Sequence, residues 1–182
     1  MERLTIEPLD PHLHDRAAFS CGKASIDKYF RDVAAQASEH LRSRTYVLTH
    51  ADQIGAKRAV LGFYTLAPHE YRDDEMDPAT ARALRVTNLK RIPAVLLGQL
   101  GVAIDRKGQR LGPMLLDHAF RTALFACCRI GGLLLVTDPI DAEARDFYLH
   151  FEFREMPGVK RLFMATKTLA KAYPAVVAAA KA

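Results

Sequence analysis

A short basic turn with two glycines joins an apolar segment to an amphipathic segment near the middle of the chain. The apolar segment ends at Leu100–Val102, and the helical pattern begins at Leu111. Gly108 and Gly112 leave room for several backbone N–H groups to converge on one anion, and a helix start adds unpaired donors and the positive end of its dipole. The pattern predicts a diphosphate cradle formed by Lys107, Gly108, Gln109, Arg110, Leu111, Gly112 and Pro113.

Two other phosphate-binding designs do not fit this turn. A loop for nucleoside triphosphates needs Gly-x-x-x-x-Gly-Lys-Ser/Thr, whereas Pro113 and Met114 follow Gly112. A dinucleotide fold needs Gly-x-Gly-x-x-Gly and an acidic residue about 20 positions later, and neither spacing is present. An ordinary glycine turn between a strand and a helix remains the alternative.

A second strand and helix follow the first pair. The segment from Leu133 to Val136 is fully apolar, which is typical of a strand buried on both faces. Asp141 is a natural N-cap for the next helix, which places Phe147 and Tyr148 near its C-terminal end.

Hydrophobic periodicity and turn residues predict further elements. These are strands over Leu4–Leu9, Arg44–Thr49 and Val60–Pro68, helices over Ser25–Leu41 and Pro78–Leu84, and a hairpin loop over Ala51–Ala59 that contains Gly55. Residues 169–182 form an Ala- and Lys-rich tail, for which we expect a helical or disordered state and no catalytic role.

Composition limits the class of protein. A chain of 182 residues with 49% hydrophobic residues can bury the core of one domain. No apolar run approaches the about 20 residues that cross a bilayer, and the N-terminus lacks a signal-peptide pattern, so we expect a cytoplasmic protein that does not bind membranes. The net charge of +5 permits RNA binding without proving it.

The remaining reactive side chains show no arrangement typical of a metal site. The three cysteines form neither a disulfide framework nor a zinc spacing, and we interpret Cys127 and Cys128 as packing residues. The seven histidines are scattered, and we expect them on the surface. Asp138 precedes Pro139, a pair that favours turn initiation over catalysis.

The order of these segments resembles the GNAT superfamily of acetyl-CoA-dependent N-acetyltransferases, and within it the toxins of bacterial toxin–antitoxin pairs that acetylate aminoacyl-tRNA. The resemblance rests on the cofactor turn, the Phe147-Tyr148 helix end and four upstream blocks: Phe19–Phe30, Arg44–Val47, Gly62–Leu66 and Ile92-Pro93. It implies an α+β fold with a mixed, mostly antiparallel central sheet, helices on both faces and a splayed cofactor-binding strand pair. The resemblance runs from about residue 17 to about residue 168, and it implies one acetyltransferase domain over residues 1–168.

Three positions depart from the pattern of that family. Lys107 takes the first place of the turn, and Arg110 replaces its middle glycine. We expect Arg110 to need no positive φ if its amide points inward. Glu152 stands where the family has glycine after the tyrosine helix, and a left-handed cap there would strain the turn.

Acetyl transfer requires a donor for the carbonyl oxygen and an acid for the leaving sulfur. The backbone N–H of Val102 is the simplest donor for the oxygen, and Tyr148 is the candidate acid because a phenol keeps its proton at neutral pH. The alternative for Tyr148 is a core tyrosine. An α-amine with a pKa of about 7.7–8.0 needs no dedicated base, unlike a lysine with a pKa of about 10.4.

The resemblance implies the remaining assignments. Leu100, Gly101, Val102 and Phe147 would contact acetyl-CoA, no metal would be needed, and the substrate would be an aminoacyl-tRNA. The partners would be a second copy of the chain in a homodimer and a ribbon–helix–helix antitoxin. Two alternatives remain open: an acetyltransferase for a small amine or a protein N-terminus, and a non-catalytic regulator that binds acyl-CoA.

Overall fold

A computed structural model describes residues 3–52, 57–72, 75–87 and 89–182. The strands are β1 (Leu4–Pro8), β2 (His14–Asp15), β3 (Arg44–His50), β4 (Arg58–Ala59), β5 (Gly62–Arg72), β6 (Arg91–Val102), β7 (Leu134–Thr137), β8 (Arg154–Glu155) and β9 (Leu162–Ala165). The helices are α1 (Ala24–Asp32), α2 (Ala34–Glu39), α3 (Pro78–Leu84), α4 (Leu111–Ile130), α5 (Ala142–His150), α6 (Thr166–Ala172) and α7 (Pro174–Lys181).

Seven strands form one mixed sheet in the order β1, β3, β5, β6, β7, β9 and β8, while β2 pairs with β4 separately. Strand β3 pairs antiparallel with β1 and β5, and β9 pairs antiparallel with β7 and β8. Strands β6 and β7 run parallel, from Ala94 opposite Leu134 to Leu97 opposite Thr137. The structure therefore confirms the predicted α+β fold with a mixed, mostly antiparallel sheet.

The chain divides into two compact units, and the first comprises residues 1–67 and 98–119. Three phenylalanines form the centre of its core: Phe30 and Phe63 stack with ring centroids 4.2 Å apart, and Phe19 meets both edge-on. The beginning of β5 lies against the end of β6, since a Cβ added at Gly62 would be 3.0 Å from the carbonyl oxygen of Gly101. Gly62 therefore permits this close backbone contact.

The second unit comprises residues 68–97 and 120–182. All four residues of β7 are buried, as the apolar run predicts, and Ile92, Leu134, Met156 and Phe163 belong to the surrounding core. Helix α5 begins after Asp141, whose side chain accepts a hydrogen bond of 2.9 Å from the backbone N–H of Ala144. The predicted N-cap is confirmed.

Several predicted boundaries differ from the observed ones. The helix predicted over Ser25–Leu41 is divided into α1 and α2 at Val33, where φ is −117°. The hydrogen bond from the Val33 N–H to the Tyr29 carbonyl, at 2.9 Å, is kept at this irregularity. Strand β5 extends to Arg72, beyond the predicted end. The tail is helical, in α6 and α7, and Leu169 is buried.

Two further predictions concern membranes and the hairpin loop. Within the described ranges, no helix combines the length and apolar character needed to cross a membrane. Gly55, predicted in the loop over Ala51–Ala59, lies outside the described residues.

Candidate active site

The predicted diphosphate cradle lies in the first unit, between β6 and α4. After Val102 the chain forms a 3₁₀ turn at Ile104–Arg106 and then a loop from Lys107 to Arg110, all four residues of which are exposed. Helix α4 begins at Leu111, as predicted, and runs for 20 residues. The structure thus brings an exposed loop to the N-terminus of a long helix, where backbone donors are available for an anion.

The backbone of this loop contains two residues in the left-handed region. Gly108 has φ +80°, and a Cβ added there would have no neighbour within 4 Å. Arg110 has φ +60°, so the expectation that it needs no positive φ is wrong. The turn keeps the conformation that suits the family's middle glycine, and Arg110 adopts it at the cost of backbone strain.

The charges of the loop suit a pyrophosphate. Among residues 3–52, 57–72, 75–87 and 89–182, neither Lys107 nor Arg110 forms an ion pair, and both side chains are exposed. Lys107 and Arg110 supply two cations, Gly108 leaves space for a ligand, and the start of α4 supplies backbone donors. Together these features match a doubly charged, elongated ligand. The residues present therefore fit the diphosphate of acetyl-CoA.

The end of β6 supplies the other predicted contacts in the first unit. Gly101 is buried, whereas Leu100 and Val102 are half-buried, and Gly112 and Pro113 lie in the first turn of α4. The next residue, Ala103, donates its backbone N–H to the carbonyl of Leu61 at 2.9 Å. Strand β6 continues to Val102 beyond Leu97, its last residue paired with β7.

Tyr148 lies on α5 in the second unit and is buried, with its ring edge-on to Phe147 and Phe153 at 5.3 Å each. Burial raises the pKa of Tyr148 to about 12, although a side-chain hydrogen bond with Thr137 opposes the increase. The phenol therefore keeps its proton throughout the physiological range. Phe147 is half-buried, so part of its ring remains accessible to a ligand.

Asp138, interpreted as a turn initiator, has a partner that the sequence did not predict. The guanidinium of Arg161 donates to both carboxylate oxygens of Asp138, at 2.6 and 2.5 Å, and a third N–H points to Nε2 of His69 at 2.6 Å. Burial and the nearby Arg161 lower the pKa of His69. No local sequence signal joins His69 to Arg161, because the two residues are 92 positions apart.

The structure also tests the expectations about the histidines and the cysteines. His14 is buried, with Nε2 2.8 Å from Oε1 of Glu7, so the prediction of surface histidines is wrong at this position. Cys127 is a packing residue, and burial raises the pKa of its thiol to about 11, but Cys128 is exposed. Within the part of the chain that the structure describes, no group of His, Cys, Asp or Glu side chains could hold a metal ion.

Several basic side chains form ion pairs with carboxylates. Glu7 binds Arg58 at 2.7 Å, Glu70 binds Arg91 at 2.9 Å, and Asp138 binds Arg161. These pairs leave the net charge of +5 unchanged, but they make Arg58, Arg91 and Arg161 less available to a polyanion.

Comparisons over the whole chain identify its relatives. No family model matches the sequence. The chain is 28% identical over 172 residues to a protein of Sinorhizobium fredii named probable toxin TacT, covering 90% of this chain and 92% of that one. It is 30% identical over 152 residues to the tRNA-acetylating toxin of Mycobacterium tuberculosis, covering 79% of this chain and 80% of that one.

Solved structures of KacT and AtaT also resemble this chain. A Tyr-to-Phe mutant of KacT superimposes with a TM-score of 0.84 at 25% identity, covering 94% of this chain and 99% of that one. AtaT complexed with acetyl-methionyl-tRNAfMet gives 0.82 at 25% identity, with 93% and 99% covered. AtaTR bound with AcCoA gives 0.77 at 26% identity, with 95% and 99% covered. The chain belongs to the family of tRNA-acetylating toxins of the GNAT superfamily.

Proposed function

We propose that this protein transfers the acetyl group of acetyl-CoA to the α-amino group of an aminoacyl-tRNA and thereby blocks translation as the toxin of a toxin–antitoxin pair. The observation that carries the proposal is the exposed Lys107–Arg110 loop at the start of α4, whose two cations form no ion pair with any residue that the structure describes. The names of the relatives support the same activity, since one is a tRNA-acetylating toxin and AtaT was solved with an acetylated aminoacyl-tRNA.

The residues of the first unit would bind the cosubstrate. Acetyl-CoA supplies an acyl group that is activated as a thioester. The backbone N–H groups of Gly108, Arg110, Leu111 and Gly112 would bind its diphosphate, with Lys107 and Arg110 adding charge-assisted hydrogen bonds. The N–H of Gln109 donates to the carbonyl of Arg106 at a long 3.4 Å and would join them by exchanging this partner for the diphosphate. Leu100 and Gly101 would pair with the pantetheine chain. The N–H of Val102 would donate to the acetyl carbonyl oxygen, an interaction worth about 3 kcal/mol in other acyl-transfer enzymes.

Tyr148 would stabilise the leaving sulfur. A phenol whose pKa is about 12 holds its proton and can donate it as a hydrogen bond while the carbon–sulfur bond breaks. A thiol has an ordinary pKa of about 8.5, so complete transfer of the phenolic proton alone is unfavourable. The step balances when the Tyr148 proton passes to the sulfur while the amine, which loses one proton as the new amide forms, returns that proton to Tyr148. The products are then the amide and the free thiol of CoA.

The remaining predictions belong to this proposal. We propose a single acetyltransferase domain over residues 1–168, a homodimer, and a ribbon–helix–helix antitoxin that covers the active site. The cytoplasm is the proposed location because charged tRNA is present there.

The proposal is tested by incubating the protein with radiolabelled acetyl-CoA and individually charged tRNAs. We expect label in the RNA fraction that mild alkali releases as an N-acetyl amino acid, and none with uncharged tRNA. Parallel reactions contain small amines and peptides with free N-termini. Transfer only to these smaller acceptors would contradict the tRNA assignment, and binding of acetyl-CoA without any transfer would indicate a non-catalytic regulator.

A further inference from the structure

The carboxylate of Asp27, on α1, organises the loop that precedes its own helix. Its Oδ1 accepts the backbone N–H of Cys21 at 2.8 Å, and its Oδ2 accepts the hydroxyl of Ser20 at 2.7 Å. The Ser20 hydroxyl oxygen in turn accepts the N–H of Gly22 at 3.2 Å. A single side chain thus fixes three consecutive residues.

This loop is hydrogen-bonded to the segment that leads into the proposed acetyl-CoA turn. The carbonyl of Ser20 accepts the backbone N–H of Ile104 at 2.9 Å. Ile104 begins the 3₁₀ turn, in which the N–H of Arg106 binds the carbonyl of Ala103 at 2.9 Å. The path from the Asp27 carboxylate to the beginning of the turn therefore contains two successive hydrogen bonds.

Packing in the first unit brings the same elements together. A Cβ added at Gly22 would lie 3.1 Å from Cδ1 of Ile104. A Cβ added at Gly101 would lie 3.3 Å from Ile26, on α1, and 3.4 Å from Cys21. The loop and α1 thus contact both the last residues of β6 and the first residue of the 3₁₀ turn.

Burial alone does not hold the acetyl-CoA turn in place. Ile104 is 58% exposed, and Lys107, Gly108, Gln109 and Arg110 are exposed as well. An exposed segment with few apolar contacts keeps one conformation only where hydrogen bonds fix its ends. The bond between Ser20 and Ile104 supplies such a constraint at the N-terminal end.

We infer that Asp27 is a positioning residue for acetyl-CoA: by fixing the Ser20–Gly22 loop, it holds Ile104 and the following turn in the conformation that binds the diphosphate. The inference rests on the proposed function of that turn. Partial burial opposes ionisation of Asp27, but hydrogen bonds from Cys21 and Ser20 outweigh it and lower the pKa of this carboxyl. The group is therefore charged at neutral pH, which strengthens the bonds that it accepts.

The test compares Asp27→Ala and Asp27→Asn with the matched control Asp32→Ala. Asp32 is on the same helix, and its carboxylate forms an exposed ion pair with Lys28 at 2.8 Å. Two quantities are measured: hydrogen exchange of the amides over residues 103–112 without ligand, and the Kd of acetyl-CoA by calorimetry. We expect Asp27→Ala to accelerate exchange in this segment and to raise the Kd about tenfold.

Asp27→Asn keeps an oxygen for the Cys21 N–H, so we expect an intermediate effect, and Asp32→Ala should behave as the wild type. In the transfer assay, Asp27→Ala should raise the KM for acetyl-CoA more than it lowers kcat. A purely structural role would lower the Tm without this difference between KM and kcat.

The inference is overturned if Asp27→Ala folds, by circular dichroism and Tm, yet matches Asp32→Ala in exchange and in Kd. If Asp27→Ala does not fold, wild-type exchange and Kd for Asp27→Asn overturn it instead. Failure of the wild-type protein to bind acetyl-CoA would overturn the proposed function, and the exchange data would still decide whether Asp27 orders the turn.

Discussion

The hydroxyl of Thr137 donates a hydrogen bond of 3.0 Å to the carbonyl oxygen of Leu97. These two residues form the last pair of the parallel ladder between β6 and β7. The side chain of Thr137 also acts on the buried Tyr148, because it opposes the rise of the phenol pKa that burial causes. Tyr148 therefore lies near the carboxyl end of β7, where the parallel pairing ends while β6 continues to Val102. The carboxyl ends of parallel strands are the usual location of ligand sites in such sheets.

Replacing Tyr148 with phenylalanine should lower kcat for acetyl transfer by at least about 10²-fold, because the leaving sulfur loses its hydrogen-bond donor. The Kd of acetyl-CoA, measured by calorimetry, should change little. Tyr29→Phe is a suitable control, since it removes a half-buried hydroxyl that lies 3.4 Å from the Ser43 hydroxyl. Equal turnover of the two variants would show that Tyr148 is a structural residue.

The rate of acetyl transfer should rise with pH and then level off without a falling limb between pH 8 and 10. The rise reflects deprotonation of the α-amine, with a pKa of about 7.7–8.0. Because burial raises the pKa of Tyr148 to about 12, its proton is lost only at higher pH. Single-turnover rates at saturating acetyl-CoA measure this profile, and a decline centred near pH 9 would contradict the assignment.

Arg110→Gly should separate the stability of the turn from its affinity for acetyl-CoA. Glycine adopts the observed φ of +60° without strain, so the free energy of unfolding should rise by about 1 kcal/mol. Loss of the guanidinium should weaken acetyl-CoA binding severalfold, since a charge-assisted hydrogen bond to phosphate is removed. Urea denaturation and calorimetry measure the two effects.

Glu152→Gly provides the matched comparison for that substitution. Glu152 has φ +66° after the end of α5, and its left-handed conformation agrees with the strain expected from the sequence. This variant should also gain about 1 kcal/mol of stability, while its Kd for acetyl-CoA stays unchanged. A similar loss of affinity in both variants would exclude a direct role for the Arg110 guanidinium.

The protein should lose stability in mild acid partly through His69. Its lowered pKa, caused by burial and by Arg161, means that below about pH 6.5 the unfolded chain binds a proton more readily than the folded one. The stabilising contribution of neutral His69 is thus present above pH 6.5 and lost as pH falls through the folded-state pKa.

His69→Gln should therefore lose less stability than the wild type between pH 7 and pH 5, as measured by urea denaturation at each pH. The exposed His12 gives the control His12→Gln, which should follow the wild-type curve. The prediction fails if the two substitutions change the pH dependence equally.

Local patterns in the sequence predicted the elements that carry the proposed site. The glycines and cations around Gly108 are adjacent in the chain, and Asp141 caps a helix that starts immediately after it. Such features depend on near neighbours, so spacing alone indicates them.

Features that depend on distant residues were not predictable in this way. The contact between His69 and Arg161 joins β5 to the residue that precedes β9, and the burial of His14 depends on Glu7 in β1. The left-handed Arg110 was also missed, because a bulky residue ordinarily avoids that conformation and only the surrounding turn imposes it.

The C-terminal helices have a practical consequence for shortened versions of this protein. The guanidinium of Arg129 donates to the carbonyl of Ala180 at 3.1 Å, and Leu169 is only 2% exposed. Cutting the gene after codon 168 would delete the buried Leu169, leave a gap in the core and remove the carbonyl that Arg129 of α4 contacts. Shortened versions of the protein should therefore retain residues 169–182.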